Sequence, residues 1–232
     1  MQDIIAPDIL YEDNHIIAVN KKPSQIVQED SSGDISMDNM LKMFIKRRDS
    51  KPGNVYIGVV HRLDRPVGGV IIFAKTEKSL VRLNEMFRKG EISKTYLAIV
   101  KKAPPKESDT LTNYLYRNKK QNKSYVYDIP RKDTKPARLE YVTAGRSDSY
   151  TLLSIRLFTG RHHQIRAQLA AIGSPIKGDL KYGFDRSNPD ASISLFARSI
   201  SFIHPVKQTF VEIIAPVPQT DVWQFFSHLS EL

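Results

Sequence analysis

The chain contains no cysteine, and none of its apolar runs approaches the length of a membrane span. Without thiols, disulfide bonds, thiolate zinc sites and cysteine nucleophiles are all excluded. Residues 1–8 show no basic region followed by a long apolar one, so no signal peptide is predicted. These absences together favour a cytoplasmic protein that has no membrane partner.

Acidic residues are also scarce relative to basic ones. Asp and Glu number 25 against 35 Lys and Arg, which gives a formal net charge of +10 at pH 7. Such an excess indicates an anionic partner, nucleic acid or lipid headgroup, without choosing between them. Neither a long Ser/Pro/Gly linker nor an obvious repeat divides the 232 residues. We therefore expect one catalytic domain over residues 1–232, large enough for a sizeable core.

The most informative stretch is His61-Arg62-Leu63-Asp64-Arg65, which lies between two short apolar runs. These runs, residues 55–60 and 70–74, are rich in β-branched side chains and are predicted to be buried strands. A loop held by rigid strands is a usual place for chemistry, and the neighbouring cations favour the ionised form of Asp64. An ion-paired loop that only fixes a hairpin has the same composition. Both interpretations are open at this point.

Periodicity predicts the remaining elements. Apolar residues from Met37 to Ile45 recur at helical spacing, which predicts a helix within residues 34–48. Thr76 is a good N-terminal cap and Gly90 a good stop, so a second helix is predicted between them. Strands are predicted at residues 9–11, 15–19, 93–100, 137–143, 150–158, 194–202 and 209–215, and a short helix at 221–229. This pattern is typical of a mixed α+β domain rich in antiparallel strands.

Residues 117–138, the basic segment, are the most basic part of the chain, with eight Lys or Arg against two Asp. Tyr114, Tyr116, Tyr125 and Tyr127 are interleaved with these charges. Cations for phosphates and rings that stack on bases are typical of a segment that contacts RNA. By composition alone, a solvated mobile loop between strands is the more common explanation of such a segment. The basicity of the whole chain, in contrast, favours contact with RNA.

A third helix is predicted to follow Gly160 and to end at Gly173. Its apolar stripe consists of Ile165, Leu169 and Ile172. Its opposite surface would gather His162, His163 and Arg166. Histidines in such a position are more often structural than metal ligands. Because no acidic or cysteine set accompanies them, no metal site is predicted.

An ordered series of motifs resembles that of the RluA-type pseudouridine synthases. The motifs are HRLDRPVGG (61–69), AKT (74–76), KTY (94–96), GRHHQIR (160–166), GSPIKGD (173–179), LFA (195–197) and HP (204–205). One tetrapeptide would be weak evidence, whereas this set covers nearly the whole chain. The resemblance implies the pseudouridine synthase fold, a mixed and largely antiparallel β-sheet with flanking helices. It also implies catalysis without a cofactor or a metal.

The resemblance assigns roles to individual residues. It makes Asp64 the catalytic aspartate, Arg166 its salt-bridge partner and Tyr96 the tyrosine that lies against the target base. Arg62 would help to occupy the space vacated by a flipped nucleotide, and Leu195 would help to wall the pocket. The other residues predicted to bind RNA or substrate are His61, Arg65, Lys94, Arg161, His163 and Gln164.

The chain departs from the family pattern at two places. The family usually has Thr-Ser or Thr-Thr where this chain has Val67-Gly68, and often a His where it has Phe196. Neither is a catalytic position, so the departures bear on loop geometry and substrate fit. The optional N-terminal S4 RNA-binding domain of the family is expected to be missing.

The predicted activity is isomerisation of uridine to pseudouridine in tRNA or rRNA by a monomeric enzyme. Glycosidic cleavage develops positive charge at the sugar, which a carboxylate stabilises or captures, and a base inside a stem must first be extruded. A non-catalytic RNA-binding module on the same fold is the alternative, although a binder does not need a carboxylate facing a polyanion. A hydrolytic glycosidase would want a second acid, for which Glu91 and Asp179 are available.

Overall fold

The computed structural model describes residues 6–229, with the side chains of residues 6–226. Residues 1–5, which carry part of the signal-peptide prediction, lie outside this described part. The contacts group the chain into two compact units, Met1–Ile92 with Ser199–Ala215 and Ser93–Arg198 with Pro216–Leu232. Both contain mainly antiparallel strands and few helices, which confirms the predicted α+β class. The single catalytic domain stays a prediction. Within residues 6–229 no helix is long and apolar enough to cross a bilayer.

The first unit is built around two buried neighbouring strands. Its elements are β1 (Ile9–Glu12), β2 (Ile16–Lys21), α1 (Met37–Arg48), β3 (Gly58–Val59), β4 (Gly68–Ala74), α2 (Glu77–Lys89) and, later in the chain, β11 (Phe210–Ile214). Strand β2 pairs antiparallel with β1 on one side and with β4 on the other. Every residue of β4 is buried, because this apolar strand forms the middle of the unit.

The second unit contains the longer antiparallel strands. Its elements are β5 (Ser93–Val100), β6 (Ser108–Asn118), β7 (Lys123–Tyr127), β8 (Lys135–Arg146), β9 (Thr151–Leu157), α3 (Gln164–Ala171), β10 (Leu195–Ile203) and 3₁₀-helices at Leu180–Tyr182 and Asp221–Leu229. The strands follow the order β5-β9-β8-β6-β7, each pair antiparallel. The residues of β10 from Ser199 onward belong to the first unit, where they pair with β11.

The ends of α2 confirm the capping prediction. Thr76 Oγ1 accepts a hydrogen bond from the Ser79 N–H at 3.2 Å, which satisfies one of the donors that a helix start leaves unpaired. Gly90 stands at the other end with φ +74°, in the left-handed region that glycine enters without a steric cost. Helix α1 likewise buries part of the predicted stripe, namely Met37, Leu41 and Ile45.

Two predictions about extended and irregular chain are corrected. The strand predicted over residues 55–60 is reduced to Gly58–Val59, because only these residues pair with the last two of β4. The basic segment, for which a mobile loop was the more common explanation, is strand over half of its length. It runs from the end of β6 through the β6–β7 hairpin into β8, and its tyrosines pair across the two strands of the hairpin.

Helix α3 is shorter and more deeply buried than the sequence predicts. It covers Gln164–Ala171, and each of its first six residues is buried. The predicted polar surface therefore does not face solvent. Arg166 can lie inside the protein because a carboxylate neutralises it, as described below.

Candidate active site

The Asp64 loop, residues 61–65, connects β3 to β4 and is braced on both of its flanks. Leu63 is buried, whereas Asp64 is half-buried and Arg62 is exposed. A turn closes immediately after the carboxylate, where the Val67 N–H donates to the Asp64 carbonyl at 3.0 Å. The loop therefore presents an acid beside an exposed cation from a fixed backbone.

Lys21, at the end of β2, is the main anchor of this loop and was missed by the sequence analysis. Its ammonium donates to the carbonyls of Lys22, Arg65 and Val67 at 3.2, 3.1 and 2.6 Å. Only 1% of the side chain is exposed. The available signal was a lysine that continues an otherwise apolar strand, where a buried charge requires polar partners.

Burial also changes the acid–base behaviour of Lys21. Loss of water around the ammonium lowers the pKa of Lys21 from 10.5 to about 7, while the negative charge of Asp64 acts to raise it and the positive charge of Arg65 to lower it. The charge of the candidate catalytic carboxylate therefore acts on a buried ammonium within the first unit.

The other charged or aromatic side chains of the loop make contacts of their own. His61 Nε2 accepts a hydrogen bond from the Ile72 N–H at 3.1 Å, and its ring stacks on Phe87 of α2 with centroids 5.0 Å apart. Arg65 pairs with Asp34 at 2.5 Å, where both side chains are about half exposed. These contacts hold the loop, and the assignment of His61 and Arg65 to RNA binding stays a prediction.

The second unit carries the remaining candidates. Tyr96 lies on β5 opposite Ile155 of β9 and is 8% exposed. Lys94, two residues earlier, is half-buried, and desolvation lowers the pKa of its ammonium. Leu195 is buried at the start of β10. Tyr96 and Leu195 are thus fixed, mostly apolar surfaces, as the wall of a base pocket requires.

Arg166 is held by Asp179, a contact that the sequence analysis did not foresee. The guanidinium donates from Nε to Asp179 Oδ2 at 2.7 Å and from Nη2 to Oδ1 at 2.9 Å, with both side chains buried. Its Cζ lies 5.2 Å from the Tyr182 ring centroid. This two-point pair fixes the orientation of the guanidinium. Asp64 and Arg166 belong to different units, and their pairing stays a prediction.

The side chains just before α3 fasten this segment to the sheet. Gln164 Oε1 accepts from the Thr159 hydroxyl at 2.7 Å and from the Arg161 N–H at 3.0 Å, while its Nε2 donates to the Arg138 carbonyl at 3.1 Å. The Arg161 Nε donates to the carbonyl of Pro136 at 2.9 Å. Two of the predicted binding residues therefore have structural contacts.

The β6–β7 hairpin is fastened to the same segment. The Ser124 hydroxyl lies 2.9 Å from His162 Nδ1 and donates to the His162 carbonyl at 2.6 Å. The Tyr182 hydroxyl links Ser124 to His163. It accepts a hydrogen bond from the Ser124 N–H at 2.8 Å and lies 3.0 Å from His163 Nδ1. His163 has φ +53°, an uncommon left-handed conformation, which these contacts support.

The two departures from the family pattern have simple local explanations. Val67 is 2% exposed, so its apolar side chain suits the buried side of the loop. Its main-chain carbonyl is one of those that Lys21 binds. Phe196 is 3% exposed and packs edge-on against Trp223, with ring centroids 6.0 Å apart. Within the described residues no cluster of three His, Asp or Glu side chains is placed to hold a metal ion.

Comparison with known proteins identifies the family. The sequence family described as RNA pseudouridylate synthase matches residues 15–171. A ribosomal large subunit pseudouridine synthase C from Buchnera aphidicola subsp. Acyrthosiphon pisum is 35% identical over 218 residues, which are 90% of this chain and 67% of that protein. A ribosomal large subunit pseudouridine synthase D from Xylella fastidiosa is 33% identical over 239 residues, 97% of this chain and 70% of that protein.

A solved structure shows the same fold. The human RNA pseudouridylate synthase domain containing 4 superposes with a TM-score of 0.77 at 20% identity, covering 95% of this chain and 90% of that one. The family match over residues 15–171 includes the Asp64 loop, Tyr96 and α3. The chain therefore belongs to the RNA pseudouridylate synthase family.

Proposed function

We propose that this protein converts uridine to pseudouridine in ribosomal RNA, with Asp64 as the catalytic carboxylate. The observation that carries the proposal is the Asp64 loop, an acid on a backbone that Lys21 fixes, in a chain of this family. The relatives named for the ribosomal large subunit support rRNA as the substrate. Transfer RNA is the other substrate class that the motifs allow.

The reaction is an isomerisation, so its atoms balance without a co-substrate. The bond from N1 to C1′ breaks, the uracil turns, and a bond from C5 to C1′ forms. The proton on C5 leaves to solvent, and N1 takes up a proton. Positive charge develops at the sugar as the first bond breaks, and a carboxylate stabilises or captures it. Asp64 acts in this step, either at C1′ or by removal of a sugar proton.

Arg166 is assigned to hold Asp64 in its ionised form. A guanidinium has five N–H donors in a rigid plane, and Asp179 engages two of them. The two-point pair orients the remaining donors, which makes arginine better suited than lysine to aim a second carboxylate. In this proposal Asp179 positions Arg166, and Arg166 positions Asp64.

Tyr96 is assigned to the detached base. Its ring is mostly buried on β5, so it offers an immobile apolar surface against which uracil can stack while it turns. The target nucleotide must leave its helix to reach such a pocket. Arg62, which is exposed beside Asp64, is assigned to the vacated space.

A hydrolytic glycosidase is less well supported. Its second acid would need access to the sugar, but Asp179 is 1% exposed and has both oxygens bound by Arg166. Glu91 lies exposed after the end of α2, and no motif makes it a partner of Asp64. A non-catalytic RNA-binding module stays the principal alternative.

The decisive experiment uses RNA labelled with tritium at C5 of uridine. Large-subunit rRNA transcripts incubated with the protein should release tritium to water while the mass of the RNA is unchanged apart from the label. A parallel tRNA transcript distinguishes the two substrate classes. Tritium release from tRNA alone would show that tRNA, and not rRNA, is the substrate of the same isomerisation.

The same assay separates the alternatives. Release of free uracil would establish a glycosidase in place of an isomerase. Tight RNA binding with no tritium release from either RNA class would support the binding module and contradict the proposal. The Asp64→Asn protein serves as the negative control, because it keeps the fold and lacks the charge.

A further inference from the structure

The sheet of the second unit has one covered face and one open face. In antiparallel pairs, directly opposed residues point to the same side, and successive residues alternate between sides. The register Tyr96↔Ile155↔Tyr141 therefore places these three side chains on one face. All are buried, and Leu115 and Ala137 on that face pack with Ala167 of α3. This covered face is the side of the candidate catalytic Tyr96.

The open face carries the four tyrosines of the β6–β7 hairpin. Tyr114 is directly opposed to Tyr127, and Tyr116 to Tyr125. Because they alternate with the buried Leu115 and with Ser124 of the covered face, all four rings point away from α3. Tyr125 is 36% exposed, and the other three are half-buried. The hairpin thus presents two neighbouring pairs of rings to solvent.

Cations accompany these rings. The Arg131 guanidinium lies 4.3 Å from the Tyr127 ring centroid, and Lys123 Nζ lies 5.8 Å from that of Tyr125. Of the eight cations in the basic segment, Arg138 alone has an ion pair with a carboxylate, Glu140, in the part of the chain that the structure describes. The segment therefore keeps a positive charge that its own acids do not neutralise.

The pattern continues across the open face toward β9. Phe158 lies just beyond β9, with the guanidinium carbons of Arg138 and Arg156 at 4.4 and 4.9 Å from its ring centroid. Beside it is a shallow groove of about 590 Å³ whose lining includes Arg156, Thr95 and Ser154 together with the carboxylates of Asp109 and Glu140. Rings, guanidinium groups and hydroxyls therefore recur on this face from β7 to β5, and Glu140 neutralises Arg138 among them.

We propose that this open face binds an unpaired stretch of RNA, with bases stacked on the tyrosine pairs and phosphates neutralised by Arg131 and Arg156. The inference rests on the proposed function for the identity of the polyanion. Exposed aromatic side chains on a sheet, combined with cations, are how proteins hold single strands without reading sequence. The face lies opposite Tyr96, so the site is separate from the base pocket. The substrate it implies is an RNA that carries a single-stranded segment beside the modified structure.

The experiment uses an oligoadenylate of about 12 nucleotides, within the range of single-strand site sizes. It contains no uridine, so its binding is independent of isomerisation. The wild-type protein should bind it at low salt, and Tyr116→Leu with Tyr125→Leu should weaken binding at least about tenfold, because each lost ring removes one stacking surface. The matched Tyr116→Phe and Tyr125→Phe protein should bind as tightly as the wild type. Tyr56→Leu in the first unit, at 37% exposure, is the control for a lost surface ring.

A second measurement on the unaltered protein guards against a folding defect in the variants. Photo-crosslinking to a uridine-free RNA that contains 5-iodocytidine should attach the label to peptides within residues 114–127. The proposal is overturned if oligoadenylate does not bind, if the Leu variant binds as well as the wild type, or if crosslinks fall elsewhere. Tyrosine-dependent binding without tritium release from either rRNA or tRNA would leave this inference standing and refute the proposed function.

Discussion

The Asp64 loop and the region around the start of α3 are held in place by different kinds of contact. In the first unit a single buried ammonium, that of Lys21, binds three main-chain carbonyls. In the second unit side chains bind side chains, as in the pairs Arg166–Asp179 and Ser124–His162. This anchor hydrogen-bonds to backbone oxygens, while its charge is coupled to those of Asp64 and Arg65. In the side-chain network, the polar groups that hold the backbone in place are those of the candidate residues, which are already hydrogen-bonded within the protein.

This difference separates two kinds of site residue. Around Asp64, the main anchor binds the backbone, and His61 and Arg65 add side-chain contacts of their own. At the start of α3, the candidates Arg161, His163 and Gln164 are engaged in protein contacts. We therefore expect substitutions in the first region to change chemistry and substitutions in the second to change stability.

The largest expected effect is that of Asp64→Asn, which tests the chemical side of the comparison. The amide keeps the size of the side chain and removes the charge, so it can neither attack C1′ nor take a proton. Pseudouridine formation in single-turnover assays should fall by at least about a thousandfold, within the range for loss of a positioned acid or base. RNA affinity in filter binding should be unchanged or slightly tighter, because a negative charge facing the strand is gone.

Asp148→Asn is the matched control for Asp64→Asn. Asp148 is an exposed carboxylate of the second unit, so its loss should leave both rate and affinity at the wild-type level. Native-rate isomerisation by the Asp64→Asn protein would show that another group performs the chemistry.

The next effect tests the stability side, through Arg166→Met. The substitution leaves the carboxylate of Asp179 buried without its cation, which typically costs about 3–5 kcal/mol. The free energy of unfolding, measured by urea titration, should fall by about that amount, and activity should fall with it. Arg146→Met is the control, since Arg146 pairs with Glu107 at the surface and such pairs contribute at most about 1 kcal/mol. Equal stability losses in the two proteins would show that the buried Arg166–Asp179 pair stabilises the fold no more than a surface pair does.

Sequence reasoning succeeded where the determining contacts are local. The ends of α2 follow from Thr76 and Gly90, which act within one turn of the helix. The strand-rich class and the order of the motifs are likewise properties of the chain itself. These features were predicted correctly because no distant partner decides them.

Sequence reasoning failed where the partner lies far along the chain. Lys21 is separated by 44 and 46 residues from Arg65 and Val67, whose carbonyls it binds, and no periodicity reports such a contact. The burial of α3 depends on Asp179, 13 residues after Arg166. The open face could not be predicted, because the side on which a tyrosine lies depends on strand register.

A smaller, pH-dependent effect tests the Lys21 anchor. The folded protein releases the Lys21 proton near pH 7, whereas the unfolded chain keeps it up to its ordinary pKa of 10.5. Below pH 7 both states bind the proton, and the cost of burying the charge is present in full. Between pH 7 and 10.5 the unfolded state binds more protons, so the wild type gains stability as the pH rises.

Lys21→Met removes this dependence and is the sharpest test of it. The stability deficit of the variant relative to wild type should grow with pH over that window, by up to about 1.4 kcal/mol per pH unit. Urea titrations across the window measure it, with Lys22→Met, an exposed neighbour, as the control. A deficit that stays constant with pH would mean that Lys21 keeps its proton when buried.

The smallest expected effect concerns the hairpin, through Lys119→Glu with Lys120→Glu. Both lysines are exposed in the β6–β7 turn and make no packing contribution to the covered face. If they contact phosphates, each loss should flatten the slope of log K against log salt by roughly 0.7–0.9. Lys101→Glu with Lys102→Glu is the matched control, because this exposed lysine pair lies in the same unit and outside the basic segment. Filter binding of rRNA over a salt series measures both proteins.

An equal change of slope in the two proteins would show that net charge alone governs RNA binding, whereas a change confined to the hairpin variant localises the RNA on β6 and β7. Neither Lys119 nor Lys120 has a hydrogen bond or ion pair with a candidate catalytic residue in the part of the chain that the structure describes, so isomerisation at saturating RNA should be the same in both proteins.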